Sequence, residues 1–254
     1  MIPWQVYPNI HLLKSYPLTF NLPVLMKRNE LIAYLADQIE TIEKPHPVRV
    51  GIDGPDASGK TVLANDLASE LKLRQEQAIF KREIIRVLLD NFHNPREIRY
   101  DRGRLSSDGY YEDTYNYDAV RHAVLDPMGP GGCRFYMDAI FNLRDNMPLP
   151  SVFKRAHDEA VLVLDGVFLF RPELEDKFDY KVYLEADPEK ILDRAVIRDR
   201  GCLGDSRMIA DIYNRRYFPA HKRYQREVDP AQKADVVINN NDPENPVIMK
   251  GGKL

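Results

Sequence analysis

The sequence is short of cysteine, has no surplus of either charge sign and lacks any long apolar run, and each shortage excludes something. Cys133 and Cys202 are its only cysteines; they form no C-x-x-C pair and lie beside no histidine cluster. That argues against a disulfide framework or a zinc site and suits a reducing cytoplasm. Against 36 lysines and arginines stand 39 aspartates and glutamates, a formal charge of -3. Such a balance gives no basic field for a nucleic acid polymer, so a small charged substrate is the expected partner, with a homo-oligomer left open. No apolar stretch approaches the roughly 18 residues of a membrane span, and the N-terminus lacks the basic-then-apolar layout of a signal peptide. A soluble, cytoplasmic protein is the expectation. Its 254 residues suffice for one large α/β domain with a sizeable core and a short appendage.

What is present is a complete G-x-x-x-x-G-K-[ST] phosphate loop: Gly54, Pro55, Asp56, Ala57, Ser58, Gly59, Lys60 and Thr61. Upstream, Val48 to Asp53 reads as a buried strand; downstream, Val62, Leu63, Leu67, Ala68 and Leu71 recur at helical spacing. This is the strand, loop and helix setting the motif needs. Its glycines let backbone N–H groups converge on a nucleotide's phosphates, and the helix adds its positive end. Lys60 then reaches the outer phosphates and the Thr61 hydroxyl suits Mg²⁺.

Around the loop, prolines 3, 8, 17 and 23 make residues 1–26 an expected extended arm without regular structure. Leu31, Leu35, Ile39 and Ile42 share one helical stripe that Pro45 and Pro47 end. Apolar runs at Ile84 to Leu89, Val161 to Leu164, Tyr180 to Leu184 and Val236 to Ile238 complete a set of five strands, and residues 127–132 break regular structure between the second and third. Near-continuous apolar strands separated by helices predict a parallel sheet covered by helices on both faces, the three-layer α/β fold of P-loop NTPases. Ligands of such sheets lie beyond the carboxyl ends of the strands, where Asp53, the loop, Asp90 and Asp165 all fall.

Several of these residues suit phosphoryl transfer. Asp90, at a strand end, can accept a hydroxyl proton as that hydroxyl attacks a γ-phosphate. Asp165 caps an apolar strand in the manner of a Walker B acid, a Mg²⁺ holder. His93, three residues past Asp90, is placed for substrate contact. The segment Gly109 to Asp118 packs four tyrosines and three acids into ten residues; it could bind sugar hydroxyls through carboxylates and a ring through aromatic contact, or be a solvated acidic loop whose tyrosines pack inward. Arg194 and Arg198 share a helix face that could close on transferring phosphates, with Arg200 beyond; an ordinary surface helix paired through Glu189, Asp193 and Asp199 is the alternative.

Taken together, Gly54 to Thr61, Asp90-Asn91-Phe92-His93, Tyr110 to Asp118, Leu164 to Leu169, Arg194 to Arg200 and Ala234 to Ile238 make residues 46–246 resemble the uridine kinase family of P-loop nucleoside kinases. The chain is accordingly divided into an N-terminal arm and helix over residues 1–45, read from its prolines and apolar stripe and without counterpart in that family, and a kinase domain over residues 46–254. The resemblance implies ATP- and Mg²⁺-dependent transfer to the 5′-hydroxyl of uridine or cytidine. Asp90 would then be base and Mg²⁺ neighbour, with Lys60 and the lid arginine Arg198 also catalytic. Residues 54–61, Arg194 and Arg200 would hold the nucleotide, and Thr61, Asp90 and Asp165 the metal. Tyr111, Glu112, His93 and Arg198 would contact the substrate, Glu112 gripping ribose. The sequence departs from the family at His93, where its best-known members carry tyrosine, and at Arg134 to Arg144, which does not align with their base-reading segment. A kinase of another small alcohol, of the pantothenate or phosphoribulose type, therefore stays open, as does a nucleotide-binding ATPase that is not a kinase.

Overall fold

The computed structural model describes residues 23–78 and 81–251, so most of the expected arm lies outside the described residues. The strands are β1 (Val24–Leu25), β2 (Val48–Asp53), β3 (Ile84–Leu88), β4 (Phe135–Tyr136), β5 (Phe141–Asn142), β6 (Met147–Pro148), β7 (Lys154–Arg155), β8 (Val161–Gly166), β9 (Tyr180–Glu185), β10 (Val236–Asn239) and β11 (Val247–Lys250). Seven of them form one sheet in the order β1-β11-β10-β9-β2-β8-β3. The five strands expected from the apolar runs pair in parallel, as predicted. The sheet also carries an antiparallel edge, β11 on β10 and β1 on β11. Val24–Leu25 thus forms a strand inside the segment read as having no regular element, because its partner is more than two hundred residues away and leaves no local trace. The two short hairpin pairs β4 with β7 and β5 with β6 stand apart from the sheet.

Strand β8 shows why the fold has three layers. Leu162 and Leu164 point into one core with Val87, Phe168 and Tyr111, while Val161 and Val163 point into a second with Leu35, Ile52 and Leu67. Successive side chains of a strand face opposite ways, so an apolar residue at every position needs cover on both sides. Helices α1 (Arg28–Glu40) and α2 (Lys60–Gln77) cover the second face through Leu31, Leu35, Ile39, Leu63 and Leu67. The first face is covered by α4 (Ser107–Asp113), α5 (Tyr117–Val120) and α8 (Phe218–Val228), which follow the short α3 (Arg96–Arg99) and, for α8, the pair α6 (Pro188–Leu203) and α7 (Ser206–Ile212). The short α9 (Pro230–Lys233) leads into β10. Each fully buried apolar side chain contributes about 1.5 to 3 kcal/mol.

Two local departures shape the site. Leu89, expected as the last residue of its strand, instead opens a 3₁₀ turn, Leu89–Phe92, that carries Asp90. Strand β8, expected as Val161 to Leu164, runs on to Gly166, where a Cβ would lie 2.4 Å from the Leu89 Cβ. The Leu89 side chain packs on this glycine, next to Asp90. Gly166→Ala should therefore destabilise the protein by about 1 to 3 kcal/mol, the usual cost of overpacking, in denaturant unfolding; a variant with wild-type stability would show that Leu89 is free to move.

Candidate active site

The phosphate loop is built on two glycines with positive φ. Gly54 (φ +152°) passes so close to β9 that a Cβ would sit 2.5 Å from the Leu184 carbonyl oxygen, and at Gly59 (φ +99°) a Cβ would sit 2.6 Å from the Asn240 Nδ2. Gly59 is also the residue from which α2 starts, so the helix N-terminus opens on the loop. Asn240 donates to the Ser58 carbonyl at 2.7 Å. Arg194 donates to the Asn240 and Asn241 carbonyls at 2.7 and 2.9 Å, and to Ser58 O at 3.4 Å. Its guanidinium, expected at phosphates, braces the loop together with the end of β10. Arg198 pairs with Asp199 at 2.6 Å and donates to the Tyr213 hydroxyl at 3.0 Å, and Arg200 is exposed. The shared helix thus presents its arginines to different partners. Ala57 packs with Ile191 and Ala195 of α6, Ile209 of α7 and Tyr213, which sets these helices directly against the loop.

Lys60 is the centre of charge. Its ammonium is buried and donates to the Pro55 carbonyl at 2.6 Å. Burial lowers its pKa, and the negative charges of Asp56, Asp165, Asp53 and Asp90 pull the other way. All four strand-end and loop acids singled out in the sequence therefore act on one cation. Asp165 accepts from the exposed Thr61 hydroxyl at 2.7 Å and pairs with Arg86. Asp56 accepts from the Tyr110 hydroxyl at 2.7 Å and lies 2.9 Å from His221 Nε2. A carboxylate only accepts, so that ring nitrogen carries the proton. Asp53 is fully buried; Tyr224 OH, Gly54 N and Leu169 N donate to it.

The 3₁₀ turn holds Asp90 exposed at the mouth of this cluster, with the Tyr115 hydroxyl donating to it at 3.2 Å. His93 is buried, its Nδ1 2.7 Å from the Asp90 carbonyl and its ring 4.5 Å from that of Tyr115. Because the carbonyl accepts, Nδ1 carries the hydrogen and Nε2 is left as an acceptor. Burial lowers the pKa of His93, partly offset by Asp90, which favours the neutral ring. Asp90, His93 and Tyr115 thus form one unit, and the charge of its carboxylate acts on Lys60.

The acid-and-tyrosine segment divides between the two readings given to it. Tyr110 reaches Asp56 and Tyr115 reaches Asp90. Tyr111, expected against a substrate ring, is buried, with the Arg171 and Arg223 guanidinium carbons 4.3 and 4.4 Å from its ring centre. Glu112, expected on ribose hydroxyls, is paired with the same two arginines at 3.4 and 2.6 Å. Sequence reasoning missed Arg86, His221, Tyr224, Asn240, Arg171 and Arg223. Arg86 alone left a signal, a base in the middle of an apolar strand.

Thr61 and Asp165 offer a hydroxyl and a carboxylate side by side, hard oxygen donors of the kind that Mg²⁺ takes along with substrate phosphates. Among the described residues no group of three or more His, Cys, Asp or Glu gathers to hold a metal unaided, and a Mg²⁺ shared with a nucleotide does not require one.

No family model matches the chain. It is 25% identical over 215 residues to uridine-cytidine kinase B of Dictyostelium discoideum, covering 78% of this chain and 76% of that protein. It is 21% identical over 204 residues to the uridine kinase of Chlamydia pneumoniae, covering 78% and 84%. A solved structure described as a possible uridine kinase from Bacillus stearothermophilus superposes with a TM-score of 0.62 at 23% identity, covering 82% of this chain and 97% of that one. The chain is thus similar in sequence to uridine kinases and has an α/β P-loop fold.

Burial pushes the Asp53 carboxyl up to about 6, against the hydrogen bonds from Tyr224 and Gly54 and the charge of Lys60. Between the unfolded value and that of the folded state, the native protein holds a proton that the unfolded chain has lost, so this group makes stability fall as pH rises through the window. Asp53→Asn removes the effect. The stability of the variant relative to wild type should rise by on the order of 2 to 3 kcal/mol between about pH 4 and about pH 7, measured by chemical denaturation at each pH. A difference that stays flat would return Asp53 to an ordinary carboxylate.

Proposed function

We propose that this chain transfers the γ-phosphoryl group of ATP to the 5′-hydroxyl of a nucleoside, with uridine and cytidine the first candidates and Mg²⁺ the metal. The observation that carries the reading is the gathering about Lys60: the phosphate loop, Asp165 held by Thr61 and Asp90 held by Tyr115 beside His93, with the charges of both acids acting on that one cation. A kinase needs a phosphate cradle and a proton acceptor for an alcohol within reach of each other. The similarity to uridine kinases supports the choice of acceptor.

In this reading the loop N–H groups and the start of α2 hold the phosphates, and Lys60 exchanges the Pro55 carbonyl for a phosphoryl oxygen. Asp90, oriented by Tyr115, takes the proton of the attacking hydroxyl. Thr61 and Asp165 hold Mg²⁺, which neutralises charge on the phosphates when bound. The charge balance asks for such an ion, because Asp56, Asp165 and Asp90 outnumber Lys60 and Arg86 before a polyanionic nucleotide arrives. Arg198 and Arg200 reach the nucleotide from the helix that packs on the loop. His93 offers Nε2 to the acceptor. A second reading, a kinase of a smaller alcohol, draws on one observation: Tyr111 and Glu112 are both engaged by Arg171 and Arg223.

The test is a screen of nucleosides and small polyols for ATP-dependent product, identified by mass. Phosphorylated uridine or cytidine is the expected outcome; product from a small polyol alone would select the second reading. Lys60→Ala should abolish turnover while thermal melting shows a folded protein, since the side chain meets phosphates and not the apolar core, and a fully active variant would remove the loop from the mechanism. Asp90→Asn should reduce kcat by about 10² to 10⁴, the scale for a general base, with nucleotide affinity nearly kept. Loss of nucleotide binding at unchanged kcat would make Asp90 a metal or structural residue instead.

A further inference from the structure

The side chain of Asp56 is built more deliberately than a variable position in a phosphate loop requires. One oxygen, Oδ2, accepts from Tyr110 of α4 at 2.7 Å and from His221 of α8 at 2.9 Å. Two helices from distant parts of the chain therefore fix one carboxylate in one orientation. Among the described residues none donates a hydrogen bond to the other oxygen, and the side chain is 18% exposed. Burial would raise its pKa, but the hydrogen bond and charge of His221, then Lys60 and Tyr110, hold it below the usual carboxylate range, so the open oxygen belongs to an anion.

Its surroundings are set by the segment that holds it: Tyr110, which holds Asp56, and Tyr115, which holds Asp90, lie five residues apart in one segment, and the Tyr110 ring packs 4.6 Å from that of Tyr217. A carboxylate aimed at the nucleotide's phosphates would be repelled. An oxygen aimed at the acceptor meets alcohol hydroxyls, which donate. Glu112, the acid otherwise expected there, already serves Arg171 and Arg223.

We propose that Asp56 is a specificity-determining ligand of the acceptor: its free oxygen accepts a hydrogen bond from a hydroxyl that neighbours the one phosphorylated, so the substrate is a polyol and not a simple alcohol. In a nucleoside this is a secondary hydroxyl of the ribose. Tyr110 and His221 are its positioning residues. The inference rests on the kinase reading and deepens it.

The experiment compares kcat/KM for an accepted substrate with that for the analogue lacking the neighbouring hydroxyl, uridine against its 2′- and 3′-deoxy forms in the first instance, and for any other acceptor the screen finds its matching deoxy form. Wild type should favour the full polyol, and in Asp56→Ala that ratio should fall by about 10- to 100-fold, the range for a hydrogen bond to a charged group. Tyr110→Phe and His221→Gln keep the carboxylate but loosen it; a smaller fall in the same ratio, with thermal melting showing folded protein, is expected and stands in should Asp56→Ala not fold. An unchanged ratio in a folded, active Asp56→Ala protein overturns the inference while leaving the kinase reading intact, as does a change confined to the KM for ATP. Wild-type protein that binds ATP and phosphorylates no hydroxyl compound overturns the kinase reading itself.

Discussion

The cost of burying the Lys60 ammonium governs the rest of the site. A cation taken out of water is tolerated only with anions and acceptors around it. Here it has the Pro55 carbonyl at 2.6 Å and the charges of four aspartates. Those aspartates repel one another, so each carries a private donor: Tyr224 for Asp53, Tyr110 and His221 for Asp56, Arg86 and Thr61 for Asp165, Tyr115 for Asp90. The helices that cover the first face are placed by this requirement as much as by apolar packing. Tyr110 and Tyr224 both lie in the same core as Phe168, with their hydroxyls reaching back to the loop and to β2.

The sheet imposes the complementary constraint. Strands β2 and β8 are buried along their whole length, so side chains that must meet a soluble ligand have no place on either face and collect where the strands end. One end is fixed by close packing at glycines, where an added Cβ would clash. Gly54 lies against β9, Gly59 against Asn240, and Gly166 against Leu89. Because these contacts tie the loop to β9 and to the residue after β10, and the Asp90 turn to β8, the loop and the Asp90 turn are anchored to the same sheet. The helices α6 and α7 meet the loop through small and apolar side chains around Ala57 and through Arg194 of α6, which donates to the Ser58 carbonyl.

This division explains what the sequence made legible. The five parallel strands, the loop and the helix after it follow from continuous apolar runs and a spaced motif, both local signals. Edge strand β1 did not, since two residues of strand exist only through their distant partner. The ion pairs were equally hidden. His221 is 165 residues from Asp56 and Arg223 is 111 from Glu112, and nothing in spacing says which of 36 basic residues a given acid will meet. For the same reason Arg194, grouped with Arg198 by helical spacing, turns out to serve carbonyls. Tyrosines in an acidic segment read equally as ligands or as core, and the structure assigns them individually: Tyr111 to the guanidinium groups, Tyr110 and Tyr115 to the acids.

Satisfied valence separates the acids by what they are free to do. Asp53 accepts three hydrogen bonds in full burial and Glu112 is spent on two arginines, so neither has an oxygen to offer without losing a partner. Asp165 is shared between Thr61 and Arg86, the pair that a divalent cation would have to displace or join. Among the described residues, Asp90 and Asp56 each keep one oxygen to which no group donates. Both are oriented through their other oxygen by a tyrosine from the same acidic segment, Tyr115 in one case and Tyr110 in the other. A fixed carboxylate with one open oxygen costs little reorganisation when a hydroxyl arrives, which is the condition for electrostatic preorganisation. The acidic, tyrosine-rich segment thus aims two carboxylates, Asp56 in the phosphate loop and Asp90 in the turn after β3.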